Sequence, residues 1–299
     1  MKRLSAIGLE TTHGYIYPAM LNGYNPDLLR ANSVEHVWSI FPTDGAPSVQ
    51  GDVRVVTCYD PDRDLARRVA QACLIERVCE TIDDAYADVD GVLVLSGDAG
   101  VHRAQATPAL EVGLATFVDK PFAESSADAE AIANVAESCG APLFCTSALR
   151  FAPQTVALRE RLPDSLGKPL AAHSIGTGEY ESYAVHSLEI LFGLWGGGVT
   201  RVRSSGQQGF TTVQLDYADG RRAMWQVCKQ MAWQFHLSVY GTRGMDQAFV
   251  TFNDRYTIFR STAERIAKFA EERSSPVPIH ETLEIVRLLS AVHNAQTIG

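Results

Sequence analysis

Gly91-Val92-Leu93-Val94-Leu95-Ser96 is a short, uninterrupted apolar run that ends on a polar residue, and its surroundings decide the fold. After it come a helical pattern from Val101 to Val112, a second apolar run at Ala115-Thr116-Phe117-Val118, a helical pattern from Ser126 to Cys139 and a third run from Pro142 to Cys145. Strands covered on both faces read as continuous apolar runs. Strands that alternate with helices build a parallel sheet through right-handed crossovers. Toward the N-terminus, Leu4 to Gly8 and Val53 to Cys58 read as further strands and Asp62 to Cys73 as a helix, and Ser126 is the expected N-cap of its helix. Residues 1–150 are therefore expected to form a Rossmann-like, doubly wound α/β domain. From Asn32 to Gly51 the periodicity fails and Pro42, Gly45 and Pro47 intervene, which reads as an inserted excursion at a pocket rim.

From Phe151 the pattern changes. A helix around Thr155 to Arg161 precedes an extended run near Pro169 to Ile175 and a helix from about Glu181 to Leu194. Strand-like runs follow at Val199 to Ser204, Phe210 to Tyr217, Arg221 to Lys229, Phe235 to Tyr240 and Gln247 to Phe252, with Ala218-Asp219-Gly220 as a tight hairpin signal. Helical patterns at Thr262 to Glu272 and Ile279 to Gln296, separated by Pro276 and Pro278, close the chain. Residues 151–299 are expected to form an α+β domain with a mostly antiparallel open sheet, to which the resemblance described below assigns substrate binding and oligomerisation.

The totals agree with two domains: 299 residues exceed what one ordinary core serves. A net charge of -9 repels a phosphodiester backbone, so nucleic acid is not an expected partner. The apolar stretch after Lys2 and Arg3 ends at Glu10, too short for a signal peptide, and no stretch has the length of a membrane span; a cytoplasmic protein is expected. Cys58, Cys73, Cys79, Cys139, Cys145 and Cys228 are scattered, without metal-ligand spacing, and read as reduced thiols.

The first strand runs into Gly8-Leu9-Glu10-Thr11-Thr12-His13-Gly14. A dinucleotide turn normally has glycine at its first, third and sixth positions, so that backbone N–H groups reach the pyrophosphate. Here only Gly8 conforms, with Glu10 third and His13 sixth. The helix start still offers N–H groups and a positive dipole end, and Thr11 and Thr12 either cap it or give hydroxyls to a phosphate. Glu10 is repelled by a pyrophosphate unless it turns away or bonds to an N–H group. His13 is placed with the cofactor, and substrate contact is open to both His13 and Glu10. Asp60 ends the second strand, where a carboxylate accepts ribose hydroxyls and disfavours a 2'-phosphate, so NAD is expected over NADP despite Arg63 nearby. The alternative for Asp60 is a turn or cap before Pro61. Ser96 and Gly97, at the end of the strand that opened this reading, complete the expected cofactor side together with His102, Asp119 and Lys120.

Taken in order, Val89 to Ser96, Val101-His102, Ala109-Leu110-Glu111-Val112-Gly113 and Asp119-Lys120-Pro121 resemble the Gfo/Idh/MocA oxidoreductases. The likeness continues in Ala148-Leu149-Arg150-Phe151 at the expected domain junction and in the closing helix, and is weakest from Glu10 to Val53. The turn resembles a variant subgroup of the family. This resemblance implies an NAD(P)-dependent dehydrogenase acting on a sugar, cyclitol or related polyol. It also implies that Lys120 projects from its strand end toward the substrate and faces a histidine on the first long helix of the second domain, here His186. Ser182 occupies the place where the family commonly has an aspartate, so the usual set is incomplete. Lys120, Arg150, Ser182, Tyr183 and His186 form the expected substrate side.

Oxidation of an alcohol needs a base for the hydroxyl proton, and Lys120 and His186 are the two catalytic candidates. An ordinary lysine is a poor base at neutral pH, whereas an ordinary imidazole, near ~6.5, needs less tuning. The bland alternatives are an ion-paired lysine, a satisfied core histidine, and packing roles for Tyr183, Trp233 and His236. Two other functions stay open: a non-catalytic nucleotide or sugar-derivative binding protein, favoured by Glu10, the missing glycines and Ser182, and an enzyme that recycles its NAD in a lyase or hydrolase cycle. The resemblance further implies a homodimer or homotetramer.

Overall fold

The computed structural model describes residues 1–49, 51–207 and 209–296. The chain opens with β1 (Lys2–Ile7) and α1 (His13–Asn22), then two short helices, α2 (Pro26–Asn32) and α3 (Glu35–Trp38). β2 (Val53–Tyr59), α4 (Arg63–Ala72), β3 (Arg77–Val78), β4 (Gly91–Val94), α5 (His102–Glu111), β5 (Ala115–Val118), α6 (Ser126–Cys139) and β6 (Leu143–Cys145) complete the first sheet and its helices. Then come α7 (Pro153–Ser165), β7 (Pro169–Thr177), α8 (Tyr180–Trp195), β8 (Val199–Gln207), β9 (Phe210–Tyr217), β10 (Arg222–Cys228), β11 (Gln234–Gly241) and β12 (Met245–Thr251). The last elements are α9 (Arg255–Glu272) and α10 (Ile279–Gln296). By contacts the chain groups into two compact units. Met1–Thr146 and Phe259–Ile279 make the first; Ser147–Ile258 and the segment from His280 make the second.

The first unit holds a parallel six-stranded sheet in the order β3-β2-β1-β4-β5-β6. Its order reverses between β1 and β4, the switch point at which such sheets open a crevice beyond their strand C-termini. The doubly wound expectation is borne out. The helices start where short polar side chains take up free N–H groups: Asn25 accepts from Leu28 N–H ahead of Pro26, and Asp62 accepts from Asp64 and Leu65. Ser125, not Ser126, caps α6 by accepting from Asp128 N–H at 3.0 Å, because Ser125 keeps the extended backbone that a cap requires while Ser126 is already helical. The excursion before β2 folds back on its own unit, Ser48 and Val49 N–H both bonding Met20 O and the Tyr24 hydroxyl bonding Pro42 O at 2.5 Å. Its Trp38 and Phe41, together with Tyr24 from before α2, line a hollow of their own. The core includes Phe117 against Phe144, ring centres 5.2 Å apart, and α9 adds Phe259 beside Tyr17 and Phe269 beside Phe144.

The second unit holds a mixed sheet in the order β12-β11-β7-β10-β9-β8, antiparallel everywhere except where β7 meets β10. That parallel pair follows from connectivity, since α8 and the β8–β9 hairpin carry the chain over before β10 runs back alongside β7. The 217–221 hairpin closes with Gly220 N–H on Tyr217 O and Tyr217 N–H on Arg221 O. Trp225 is fully buried and donates its indole N–H to the Ser187 hydroxyl of α8 at 2.7 Å, joining helix to sheet. The two sheets together are the α/β plus mostly antiparallel α+β architecture expected. No described helix is long and apolar enough to cross a membrane.

Candidate functional site

The turn after β1 is tightly specified. Gly8 adopts φ +72°, and a Cβ there would lie 1.9 Å from Ser96 Oγ; at Gly14 a Cβ would lie 2.5 Å from Leu9 O. Both positions need glycine, although Gly14 lies one residue beyond the sixth place of the usual pattern. Thr11 caps the turn, its hydroxyl donating to Leu95 O at 3.1 Å and accepting from His13 N–H at 3.2 Å, while Thr12 makes no side-chain cap. Among the described residues, the N–H groups of Glu10, Thr11 and Thr12 donate to no protein acceptor. A row of unpaired N–H groups at the N-terminus of α1, beside the switch point, fits an anionic group such as a pyrophosphate. Glu10 accepts from Gly97 N–H at 2.6 Å, so its carboxylate is held by an N–H group as the sequence required.

Asp60 is buried, and its carboxylate fastens the same turn from behind: Oδ2 accepts from Leu9 N–H at 2.7 Å and Oδ1 from Asp62 N–H at 2.8 Å. Each oxygen keeps a second lone pair for a ribose hydroxyl. Neighbouring Cys58 is deeply buried and its thiol is pushed up to about 12, first by desolvation and then by Cys79 and Asp60, so it is inert as a nucleophile.

At the end of β5, Asp119 Oδ2 lies 2.6 Å from His13 Nδ1. Burial opposes ionisation of Asp119, but His13 and then Lys120 outweigh it and hold the carboxyl below its ordinary value. The His13 ring packs between Tyr17, 5.2 Å away, and Phe259, 5.4 Å away. The buried Tyr17 hydroxyl is pushed well up by desolvation, then by Asp119 and Cys145. Lys120 is half-buried and precedes Pro121 through a cis peptide bond; among the described residues its ammonium has no hydrogen bond or ion pair. His102 is fully buried, with Nε2 2.8 Å from Ser96 O and Nδ1 3.2 Å from Phe122 O, and the Ser96 hydroxyl bonds Gln105.

In the second unit, His186 stands on α8, 8% exposed, with Nδ1 2.6 Å from the Ser147 hydroxyl, which also accepts from Leu149 N–H. Phe235 meets its ring edge-on at 5.8 Å, and Tyr183 lies one turn before it with its ring against Trp233. Ser182 is exposed. Arg150 is turned inward: it donates to Glu189 at 2.9 Å and pairs with Glu281, with side-chain exposure of only 6%. This geometry assigns Arg150 to the interior of its unit rather than to a ligand. Desolvation raises the Glu189 carboxyl and Glu281 adds to it, against the pull of Arg150.

The first unit thus brings together Gly8, Thr11, Thr12, His13, Ser96, Gly97, His102, Asp119 and Lys120 near the C-terminal ends of β1, β4 and β5, with Asp60 behind the turn. The second gathers Tyr183 and His186 on α8. Two participants escaped the sequence reading. Ser147, two residues after β6, had no signal beyond being small and polar. Glu189 had one: a carboxylate within Leu188-Glu189-Ile190-Leu191-Phe192 must find a buried partner.

Residues 41–147 match a family model, the oxidoreductase family with an NAD-binding Rossmann fold (Gfo/Idh/MocA). The resemblance drawn from the motifs is borne out over that segment. No curated protein matches the chain. Solved structures similar over nearly the whole length include a putative myo-inositol dehydrogenase from Sinorhizobium meliloti 1021, with TM-score 0.78, 17% identity, 99% of this chain and 97% of that one. An oxidoreductase from Agrobacterium radiobacter in complex with NAD+, L-tartaric acid and magnesium gives TM-score 0.77, 16% identity, 98% and 96%. Scyllo-inositol dehydrogenase from Lactobacillus casei with bound NAD(H) and scyllo-inositol gives TM-score 0.78, 14% identity, 99% and 96%. At these identities the likeness is one of fold.

Proposed function

We propose that this chain, whose residues 41–147 match the Gfo/Idh/MocA oxidoreductase family, is an NAD-linked dehydrogenase acting on the CH–OH group of a small polyol, cyclitol or sugar. The observation that carries the proposal is the row of unpaired N–H groups from Glu10 to Thr12 at the switch point of a parallel sheet. A bound nicotinamide supplies the hydride chemistry; the chain's own residues bind, orient and manage the proton. Gly8 lets the turn approach the pyrophosphate, Asp60 accepts ribose hydroxyls through its spare lone pairs and repels a 2'-phosphate, and Ser96 and Gly97 shape the neighbouring turn. Lys120, with no hydrogen bond or ion pair among the described residues, and His186, set by Ser147, are the proton-handling groups, one in each unit. Tyr183 and Ser182 orient substrate hydroxyls. Polyol substrates appear with neighbours of the same fold, among them the scyllo-inositol complex.

The division at residue 150 is proposed as the functional one, nucleotide before it and substrate after it. A homodimer or homotetramer is proposed through the outer face of the second sheet, where Met224, Tyr240, Met245 and Phe249 stand exposed. Sedimentation showing a monomer at micromolar concentration removes that part.

The test is a fluorescence titration with NADH and NADPH, followed by a polyol and sugar screen. Tighter binding of NADH, weakened in Asp60→Ala, is expected. Lys120→Ala is expected to keep NADH binding and to lose about 10²- to 10⁴-fold in turnover. Glu10, a carboxylate on the turn itself, favours a second reading, a binding protein without turnover. Failure of the folded chain to bind either cofactor would put that reading first.

A further inference from the structure

Lys120 is held only at its root. Its ammonium makes no hydrogen bond or ion pair among the described residues and acts on Asp119, at its own root, through charge alone, so its position depends on the backbone at 119 to 122. That backbone has a histidine on either side. On one side Asp119, 2% exposed, is gripped at 2.6 Å by His13, the first residue of α1. On the other, Phe122 O lies 3.2 Å from His102 Nδ1, and the opposite nitrogen of the same ring lies 2.8 Å from Ser96 O. The Asp119 carbonyl also takes a contact from the Cys145 thiol at 3.8 Å. The far ends of these ties are the dinucleotide turn itself: His13 follows Thr11 and Thr12, and Ser96 precedes Gly97, whose N–H binds Glu10.

We infer that His13 is a positioning residue that fastens the Lys120 segment to the dinucleotide turn, so that Lys120 stands in register with a bound cofactor. Packing alone would not call for imidazoles here. A buried ring nitrogen is costly unless bonded, and the His13 ring is aimed at an acceptor on the Lys120 segment; His102, with one N–H in its neutral form, donates to only one of the two carbonyls it faces. His13 acts as donor, because the ionised Asp119 has only lone pairs to offer. Neither ring need touch substrate: His102 is fully buried and the His13 side chain is 12% exposed. The inference rests on the reading of Lys120 as a proton-handling group.

The test compares His13→Ala with His13→Asn, since the asparagine amide carries an N–H close to the place of Nδ1. Three quantities are read: kcat, the NADH dissociation constant, and the ¹³C signal of Lys120 after reductive dimethylation, assigned with Lys120→Arg among the five lysines of the chain. In His13→Ala, kcat is expected to fall about 10- to 100-fold, the scale of a misplacement near 1 Å, with NADH affinity changed less than about threefold. The Lys120 signal should move toward those of the other four lysines, and His13→Asn should recover most of both losses. A folded His13→Ala with an unmoved Lys120 signal, or a loss that His13→Asn does not recover, overturns the inference. Should His13→Ala not fold, His13→Gln, one methylene longer, takes its place against His13→Asn. The lysine signal is read without turnover, so an enzyme inactive on every polyol would sink the dehydrogenase reading and leave the positioning result to stand or fall by itself.

Discussion

Each unit buries a small cluster of charge, and the two clusters drive their carboxyls in opposite directions. In the first, Asp119 is fully desolvated, yet His13 and Lys120 hold it below its ordinary value. In the second, Glu189 is as deeply desolvated, but its cation, Arg150, is shared with Glu281, and the carboxyl rises. Burial is common to both; the ratio of cations to carboxylates differs. A carboxylate between an imidazole and an ammonium is an anchor biased toward its ionised form. A carboxylate that must share its one cation with a second carboxylate is biased toward its protonated form.

Arg150→Met should produce the largest effect, because it leaves Glu189 and Glu281 without their cation; a loss of about 3–5 kcal/mol is expected in urea unfolding. A loss below about 1 kcal/mol would mean that the carboxyls are neutral already and that the cluster is not ionic. Asp119→Ala should cost less, about 1.5–3 kcal/mol, the scale of a hydrogen bond to a charged group. It should also reproduce the displaced Lys120 signal of His13→Ala.

The pH dependence sharpens the contrast. Above ~3.9 Asp119 is ionised whether folded or unfolded, and its contribution is fully present. As pH falls below ~3.9 the unfolded chain takes up the proton first, so that contribution drains away through the lower folded value. Glu189 runs the other way: above ~4.3 the unfolded carboxyl is ionised while the folded one keeps its proton, and stability declines as pH rises until the folded group ionises. Urea midpoints against pH should therefore show an acid-side loss that Asp119→Asn removes and a decline beginning near ~4.3 that Glu189→Gln removes. Glu281→Gln should flatten the second decline without touching the first. The smallest effect is expected at the exposed Arg63–Glu80 pair, where Glu80→Gln should leave the urea midpoint in place.

Legibility in the sequence followed length and burial. β5 and α6 could be read to the residue because one is an unbroken apolar run and the other is bounded by serines and Gly140. β3, two residues long with an exposed arginine, offers no periodicity to detect, and α2, just before the excursion, and α3, within it, have so few turns that they leave no stripe. At the site, position was legible and partnership was not. Asp60 could be placed at the end of β2 by counting, but nothing local reveals that Leu9 N–H arrives 51 residues away in sequence. Arg150 could be found by its motif, yet its inward turn depends on Glu189 and Glu281, distant in the chain. Side chains that bond across long separations leave their mark in the fold, not in the pattern.

The return of Phe259–Ile279 to the first unit has a consequence for synthesis. A ribosome finishes all six strands of the first sheet before residue 146, but the aromatic rings that α9 lays beside Tyr17 and Phe144 come more than a hundred residues later. At about 5–20 residues per second, the nascent sheet spends several seconds or more with that apolar surface uncovered. The half of the molecule that begins first is completed only after nearly all of the other half has been made.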